Sequence, residues 1–338
     1  MASKTGLRCG VIGYGGAFNM GRAHLSSMEK AGMEAVAVCD LEPERRKAAE
    51  QDFPGIATYA RPGGMLRHSD LDLVAIITPH NTHAKLALQV LDAKVGAVCE
   101  KPMAVTSREV KAMLAAARRN RVMLSTFHNR RWDGDFLLLR ELIQEERIIG
   151  RVFRLEAGFG GYGRQPAWWR ADRTISGGAI YDWGAHFTDW ILGLVRDEID
   201  WVSGYQVKCT EWEDYTNEDH SEYTLKFNGG CLAHLVISNL AMSSRPKWRI
   251  LGDRGSIEAA ADGAYLVKAL VNGRQMETRL TPPASNWDAY YENVKRHLQG
   301  RAALAVTPES AARVIGVLEA ANLSARRKGG MPVRPAFK

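Results

Sequence analysis

At 338 residues, with 46% hydrophobic and 25% charged side chains, the chain has ordinary globular composition and is too long for one hydrophobic core, so two domains are expected. The 45 Lys and Arg against 38 Asp and Glu leave a net charge of +7, but the cations are dispersed. The only dense groups are short, such as Arg118-Arg119 and Arg326-Arg327-Lys328, which argues against a nucleic-acid partner.

No stretch stays apolar long enough to cross a bilayer, and the first residues lack an apolar signal core, so a cytoplasmic protein with no membrane partner is expected. Cys9, Cys39, Cys99, Cys209 and Cys231 stand singly in strand-like runs, without CxxC pairs or zinc spacing. They read as reduced core cysteines, with no metal site.

In chain order, an apolar strand over 7–12 meets Gly13-Tyr14-Gly15-Gly16, and a helix follows over about 20–31. Glycines there let a strand turn sharply and bring its backbone close to a pyrophosphate at a helix N-terminus. The spacing is irregular: Phe18 stands where a third glycine is expected and Gly21 is the next, as though about three residues were inserted. Ala17, Phe18 and Asn19 thus become candidates to reach the cofactor or the active site. A second strand over 34–39 ends at Asp40, about where an acidic side chain accepts hydrogen bonds from the adenosine ribose. Such a residue repels a 2′-phosphate and favours NAD, while Arg45 and Arg46 keep NADP as the alternative.

A strand over 71–78 leads into Thr78-Pro79-His80-Asn81-Thr82-His83 at its carboxyl end, where doubly wound sheets place ligands, although either histidine could be structural. After a helix over 82–93, a strand over 96–99 ends in Glu100-Lys101-Pro102. The proline keeps Lys101 out of helical geometry, the plain alternative being a surface Glu-Lys pair. A helix over 107–120, capped by Ser107, and a strand over 123–127 complete a run of βαβ units over 1–128, which demands a doubly wound parallel sheet.

Beyond 129 the rhythm changes. Helices over 133–146 and 178–194 flank a strand over 151–157 and a Gly- and Trp-rich loop, and strands follow over 199–209, 221–227, 231–239, 248–251 and 265–271. Turn signals at Asn228-Gly229-Gly230 and Asn272-Gly273 predict an α+β domain over 129–307 with a large open, mostly antiparallel sheet. Its open face is an expected dimer surface. A last helix within 308–338 is expected to pack back on the first domain. Asp182 and His186, four apart on a helix, share a face beside a docking stripe of Trp183, Phe187, Trp190, Ile191 and Leu194. A structural contact is the alternative for that pair, but Gly177-Gly178 just ahead permit close approach of a ligand.

Together, Gly13-Tyr14-Gly15-Gly16, Thr78-Pro79 with Asn81 and His83, Glu100-Lys101-Pro102, and Gly177-Gly178 with Asp182 and His186 resemble the glucose-fructose oxidoreductase and inositol dehydrogenase family over nearly the whole chain. The resemblance implies a Rossmann domain, a second domain with an open mixed sheet, a nicotinamide cofactor between them, and a homodimer or homotetramer. It implies that Lys101 touches the nicotinamide ribose and a substrate hydroxyl, and that Asp182 and His186 are an acid/base pair. Gly13, Gly15, Gly16, Ala17, Phe18, Asp40, Thr78, Pro79, Asn81, His83, Glu100 and Lys101 are then the expected cofactor residues. Asn129, Arg130, Trp168, Trp169, Arg170 and Asp189 join Lys101, Asp182 and His186 as the expected substrate residues.

Hydride removal from a carbinol carbon requires the hydroxyl proton to leave too. An imidazole oriented by a carboxylate suits that near neutral pH, and an ammonium stabilises the alkoxide charge. An NAD(P)-dependent oxidoreductase acting on a secondary hydroxyl of a sugar, inositol or related polyol is expected. A redox-assisted lyase or glycosidase with tightly held NAD would use the same residues. A nucleotide-sensing regulator without catalysis is the third option, but loss of Lys101, Asp182 or His186 would mark it, and all three are present.

Overall fold

A computed structural model describes residues 6–16, 18–164, 166, 168–243, 245–327 and 329–338. The chain opens with β1 (Arg8–Ile12), α1 (Met20–Lys30), β2 (Glu34–Cys39), α2 (Pro43–Asp52), β3 (Ala57–Tyr59) and α3 (Pro62–His68). It continues through β4 (Leu73–Ile76), α4 (His83–Asp92), β5 (Gly96–Cys99), α5 (Ser107–Asn120) and β6 (Leu124–Thr126). Next come α6 (Gly134–Arg140), β7 (Val152–Gly160), α7 (Arg173–Ser176), α8 (Trp183–Leu194), β8 (Ile199–Val207), β9 (His220–Phe227) and β10 (Leu232–Ser238). The rest is β11 (Trp248–Gly252), β12 (Gly255–Ala259), β13 (Tyr265–Val271), β14 (Arg274–Leu280), α9 (Ala289–Leu298) and α10 (Pro308–Ala325).

Among the described residues, β1 to β6 form a parallel sheet in the order β3-β2-β1-β4-β5-β6, the doubly wound order in which the carboxyl ends of β1 and β4 flank the ligand crevice. Every residue of β4 and β5 is buried, as strands covered on both faces require. Helix α1 lays Gly21, His24, Leu25 and Met28 against the sheet, an i, i+3, i+4, i+7 stripe. The cap of α5 is Thr106 rather than Ser107. Its hydroxyl accepts from the Glu109 amide (3.2 Å) while the Glu109 carboxylate accepts from the Thr106 amide (3.0 Å), a reciprocal box that Ser107 stands one residue too late to form.

The other strands form a sheet in the order β14-β13-β12-β11-β7-β10-β9-β8, antiparallel except where β10 runs parallel to β7. In β9 the pleat turns Ser221, Tyr223, Leu225 and Phe227 inward, and α8, apolar on most sides, packs on β7 and β10. Strand β14 is exposed over nearly its whole length and so lacks the apolar alternation by which strands are recognised in sequence.

The chain forms two compact units, Met1–Asn129 with Trp287–Ala311, and Arg130–Asn286 with Ala312–Lys338. Residues 287–307, expected in the second domain, thus belong to the first unit together with 308–311. Tyr290 and Tyr291 of α9 are buried there, Tyr290 donating to Ser125 Oγ (2.9 Å) and Phe127 packing against both rings. From Ala312 onward α10, expected to return to the first domain, belongs to the second unit. Asn322 accepts from Gln206 (2.6 Å) and Ser324 from the Gly204 amide (3.0 Å) on β8. A Cβ on Gly204 would overlap the Ala321 carbonyl oxygen, so the glycine is what admits the helix so closely. Cys9, Cys39, Cys99 and Cys231 are buried as expected, but Cys209, two residues beyond the end of β8, is exposed and is not a core residue. No described helix is long and apolar enough to cross a membrane.

Candidate active site

In the first unit, β1 leads into Gly13, whose φ of 93° and whose closeness to the Ile77 carbonyl oxygen, which a Cβ would overlap, exclude any side chain. Gly21, three residues beyond the usual third glycine, packs as that glycine would, since a Cβ there would meet Tyr14 Cα at 2.5 Å. Gly16 adopts φ 125° with open space where a Cβ would lie. Helix α1 starts from a left-handed Asn19 whose side chain makes no cap bond. A bare backbone turn leading to a helix start without a side-chain cap fits a pyrophosphate. Phe18 is largely exposed, and Ala17 lies outside the described residues.

Asp40, expected to reach for ribose, is buried and already engaged with the protein. Oδ2 accepts from the Tyr14 amide (2.8 Å), Oδ1 from the Glu42 amide (3.0 Å), and Arg45 stands 3.8 Å from Oδ2. Its carboxylate therefore shapes the glycine turn, leaving only part of its acceptor capacity for a ligand. Arg45 also lies along Gly15, while Arg46 donates to the carbonyls of Asp40 (2.7 Å) and Leu41 (2.9 Å).

After β4, Thr78 and Thr82 join hydroxyls (2.6 Å), Thr82 donates to the Pro79 carbonyl, and Asn81 is exposed. His83, an expected cofactor residue, has both ring nitrogens against protein groups. It is wholly buried, with Nδ1 at 2.7 Å from the Pro102 carbonyl oxygen and Nε2 at 2.8 Å from that of Thr78, because α4 begins with this face turned inward. Burial depresses its pKa against the opposing pull of the two carbonyls and Glu100.

The Glu100 side chain likewise turns toward the protein. Oε1 meets His24 Nε2 (3.0 Å), Oε2 accepts from the Lys101 amide (2.8 Å), and His24 Nδ1 meets the Tyr291 hydroxyl (2.5 Å). Burial pushes the Glu100 carboxyl up, but His24, the Lys101 ammonium and the Lys101 amide together hold it below the usual carboxylate range. Lys101 is half-buried at this turn and Asn129 is buried at the unit's last residue. Sequence reasoning missed His24 and Tyr291; the available signal was a histidine in the apolar stripe of α1.

In the second unit, Asp182 precedes α8 and His186 lies one turn into it, largely buried between the rings of Trp183 (5.6 Å) and Trp190 (6.3 Å). Arg170 donates to both Asp182 oxygens at 3.2 Å, and its guanidinium carbon lies 5.1 Å from the Trp168 ring and 5.2 Å from that of Trp169. The Trp168-Trp169-Arg170 cluster thus acts on the proposed acid. Trp183 leaves the expected docking stripe because it begins the helix: it stacks on Phe159 (4.1 Å) with Arg130 4.9 Å from its ring, while Phe187, Trp190, Ile191 and Leu194 are buried as expected.

Asp189, expected at the substrate, is 3% exposed and bound by Arg131 through both oxygens (2.6 and 2.8 Å), because its position on α8 faces inward. Glu218, missed in the sequence, accepts from the Ile180 amide (3.1 Å) and Arg173 (2.6 Å). A Cβ on Gly178 would approach the Glu218 oxygens at 3.1 Å, so the glycine pair, with φ of 86° and 128°, folds over that carboxylate. Among the described residues no cluster of His, Cys, Asp and Glu could hold a metal ion.

Residues 7–128 match the model of an oxidoreductase family with an NAD-binding Rossmann fold, and residues 136–258 match the GFO/IDH/MocA C-terminal domain. Over 95% of this chain and 94% of the relative, the sequence is 24% identical to the scyllo-inositol 2-dehydrogenase (NADP(+)) IolW of Bacillus subtilis. It is 26% identical to the myo-inositol 2-dehydrogenase of Thermotoga maritima over 75% of each chain. An NAD-binding protein from Listeria innocua superposes with a TM-score of 0.85 at 28% identity, covering 97% of both chains. With a parallel sheet and glycine turn of the nucleotide-binding type in one unit, a mostly antiparallel sheet carrying the Asp182–His186 turn in the other, and family matches over both, the chain belongs to the GFO/IDH/MocA family of NAD(P)-dependent dehydrogenases.

Proposed function

We propose that the chain oxidises a secondary hydroxyl of a sugar, inositol or related polyol with NAD, NADP being the alternative that Arg45 and Arg46 leave in play. The start of α8 carries the proposal: Asp182 and His186 lie one turn apart, the acid held by a guanidinium stacked on two indoles and the imidazole enclosed by two more. His186 takes the hydroxyl proton, and Asp182, with Arg170 behind it, sets the charge beside it. The Lys101 ammonium stabilises negative charge developing on the same oxygen. The nicotinamide, when bound, supplies the hydride acceptor. Gly13, Gly15, Gly16 and the start of α1 receive the pyrophosphate. Asn129, Arg130, Trp168 and Trp169 border the sugar, whose faces are apolar and whose rim is hydroxylated. The names of two inositol dehydrogenases among the relatives support the polyol class. A cytoplasmic homodimer or homotetramer is part of the proposal.

The test is NADH formation across inositols, aldoses, sugar acids and glycosides, with product masses recorded. Stoichiometric NADH and a product lighter by a pair of hydrogens are expected. Lys101→Ala lowers kcat by about 10³-fold while NADH still binds, and His186→Asn lowers kcat about as much. Product without net NADH would replace the dehydrogenase with the redox-assisted lyase or glycosidase, and wild-type turnover by Lys101→Ala would remove that residue from the reaction.

A further inference from the structure

Lys101 stands in a turn whose two neighbours are each tied to a buried histidine. On one side, Glu100 offers Oε1 to His24 Nε2 (3.0 Å) and Oε2 to the Lys101 amide (2.8 Å). An ionised carboxylate only accepts, so Nε2 of His24 carries a hydrogen in either protonation state of the ring. The other ring nitrogen meets the Tyr291 hydroxyl at 2.5 Å, and Phe127 packs on the imidazole at 4.2 Å, so the ring is fixed in plane and in depth. On the other side, His83 lies between the carbonyl oxygens of Pro102 (2.7 Å from Nδ1) and Thr78 (2.8 Å from Nε2), where a neutral imidazole donates its one N–H to one of them and packs its ring between the turn after β5 and the turn after β4. Both histidines are buried, so neither is placed to touch a ligand directly. Their shared target is the backbone on either side of the lysine.

We propose that His24, backed by Tyr291, and His83 are positioning residues that clamp the Glu100-Lys101-Pro102 turn from both sides and thereby aim the Lys101 amine. The proposal rests on the role given to Lys101 above. Its chemistry is asymmetric. The His24 arm acts through a side chain on the Lys101 amide, whereas the His83 arm acts on a carbonyl of a residue that has no amide hydrogen. A shift of about 1 Å at a reacting group costs up to about 10²-fold in rate, so a partial loosening of this turn is expected to be visible in kcat before it is visible in folding.

Two measurements test it. In the cofactor-free protein, hydrogen exchange at the Lys101 and Met103 amides is followed in Tyr291→Phe, His24→Gln and His83→Gln. An acceleration of about tenfold at Lys101 is expected in the first two, with the amides of β1 and β4 unchanged. In steady-state kinetics, Tyr291→Phe is expected to lower kcat about tenfold with KM nearly constant, and to have almost no further effect in a Lys101→Ala background, since two changes acting through one group are not additive. Tyr291→Phe removes a single oxygen and keeps the ring, so it reads the His24 arm even where His24→Gln does not fold.

Exchange at Lys101 unchanged in Tyr291→Phe, or a kcat effect equally large with and without Lys101, would overturn the clamp. Wild-type turnover by Lys101→Ala would instead defeat the catalytic role proposed for the lysine, and the exchange data would still decide whether the histidines hold the turn.

Discussion

Asp189→Asn separates a structural carboxylate from a substrate ligand. The native side chain is 3% exposed and receives Arg131 Nε at 2.8 Å and Nη2 at 2.6 Å in a forked pair, with Arg131 itself 21% exposed. Replacing one oxygen by an amide nitrogen keeps the shape, removes the charge and points a donor at a donor. Breaking a buried pair from one side costs about 3–5 kcal/mol, and the residual exposure of Arg131 puts this case near about 3 kcal/mol. At about 2.1 cal/mol/K of unfolding entropy per residue, that is a fall of roughly 4 °C in the thermal midpoint of the 338-residue chain. Urea unfolding should show a lower midpoint at constant slope, with KM for the polyol within about twofold of wild type. The double change Arg131→Met with Asp189→Leu should recover most of the loss, because two apolar groups leave no buried charge unpaired. An unchanged midpoint with a raised KM would refute this assignment and return Asp189 to the substrate.

Gly13→Ala forces a Cβ against the Ile77 carbonyl oxygen at a backbone φ of 93°. It should cost more than about 2 kcal/mol and abolish fluorescence-detected NADH binding, whereas a normal titration would show that the turn does not seat the cofactor. Arg170→Lys keeps the charge but loses the planar stack on Trp168 and Trp169; kcat should fall about tenfold with little change in melting, as steady-state kinetics and thermal scans can check. The pH dependence of stability follows from two buried groups. Burial holds His83 below its unfolded value, so below about pH 6.5 the unfolded chain takes up the proton first and stability falls, by at most about 1.4 kcal/mol per pH unit. Glu100 is held below its own unfolded value, so its contribution is present above about pH 4.3 and is lost as the pH falls through the folded value. Thermal melts between about pH 8 and 5 should decline in the wild type and flatten in His83→Gln; equal slopes would refute the His83 assignment.

What the sequence made legible is what is written locally. The continuous apolar runs of β4 and β5, the stripe of α1 and the glycines of the first turn each declare themselves within a dozen residues. The displaced third glycine was visible as an irregularity, but only its closeness to Tyr14 explains it. Long-range partners were not legible: nothing near His24 announces a hydroxyl on Tyr291, and nothing near Asp189 announces Arg131. Inward and outward faces at element ends were also hidden. His83, Glu100 and Asp189 are polar residues at positions where a ligand was expected, and each has its hydrogen-bonding capacity directed to protein groups.

The segment Trp287–Ala311 closes the core of the first unit, yet it lies beyond residues Arg130–Asn286 in the chain. During synthesis the ribosome therefore releases β1 to β6 long before it makes the tyrosines that cover Phe127 and bond to Ser125 and His24. Domains that fold on the ribosome do so from the N-terminus as each becomes complete, and here the N-terminal unit becomes complete almost last. In the interval the nascent sheet lacks the apolar cover that Tyr290 and Tyr291 supply. A stalled chain ending before residue 287 would then be protease-sensitive in its N-terminal half, and lengthening it past α9 would confer protection on residues made long before.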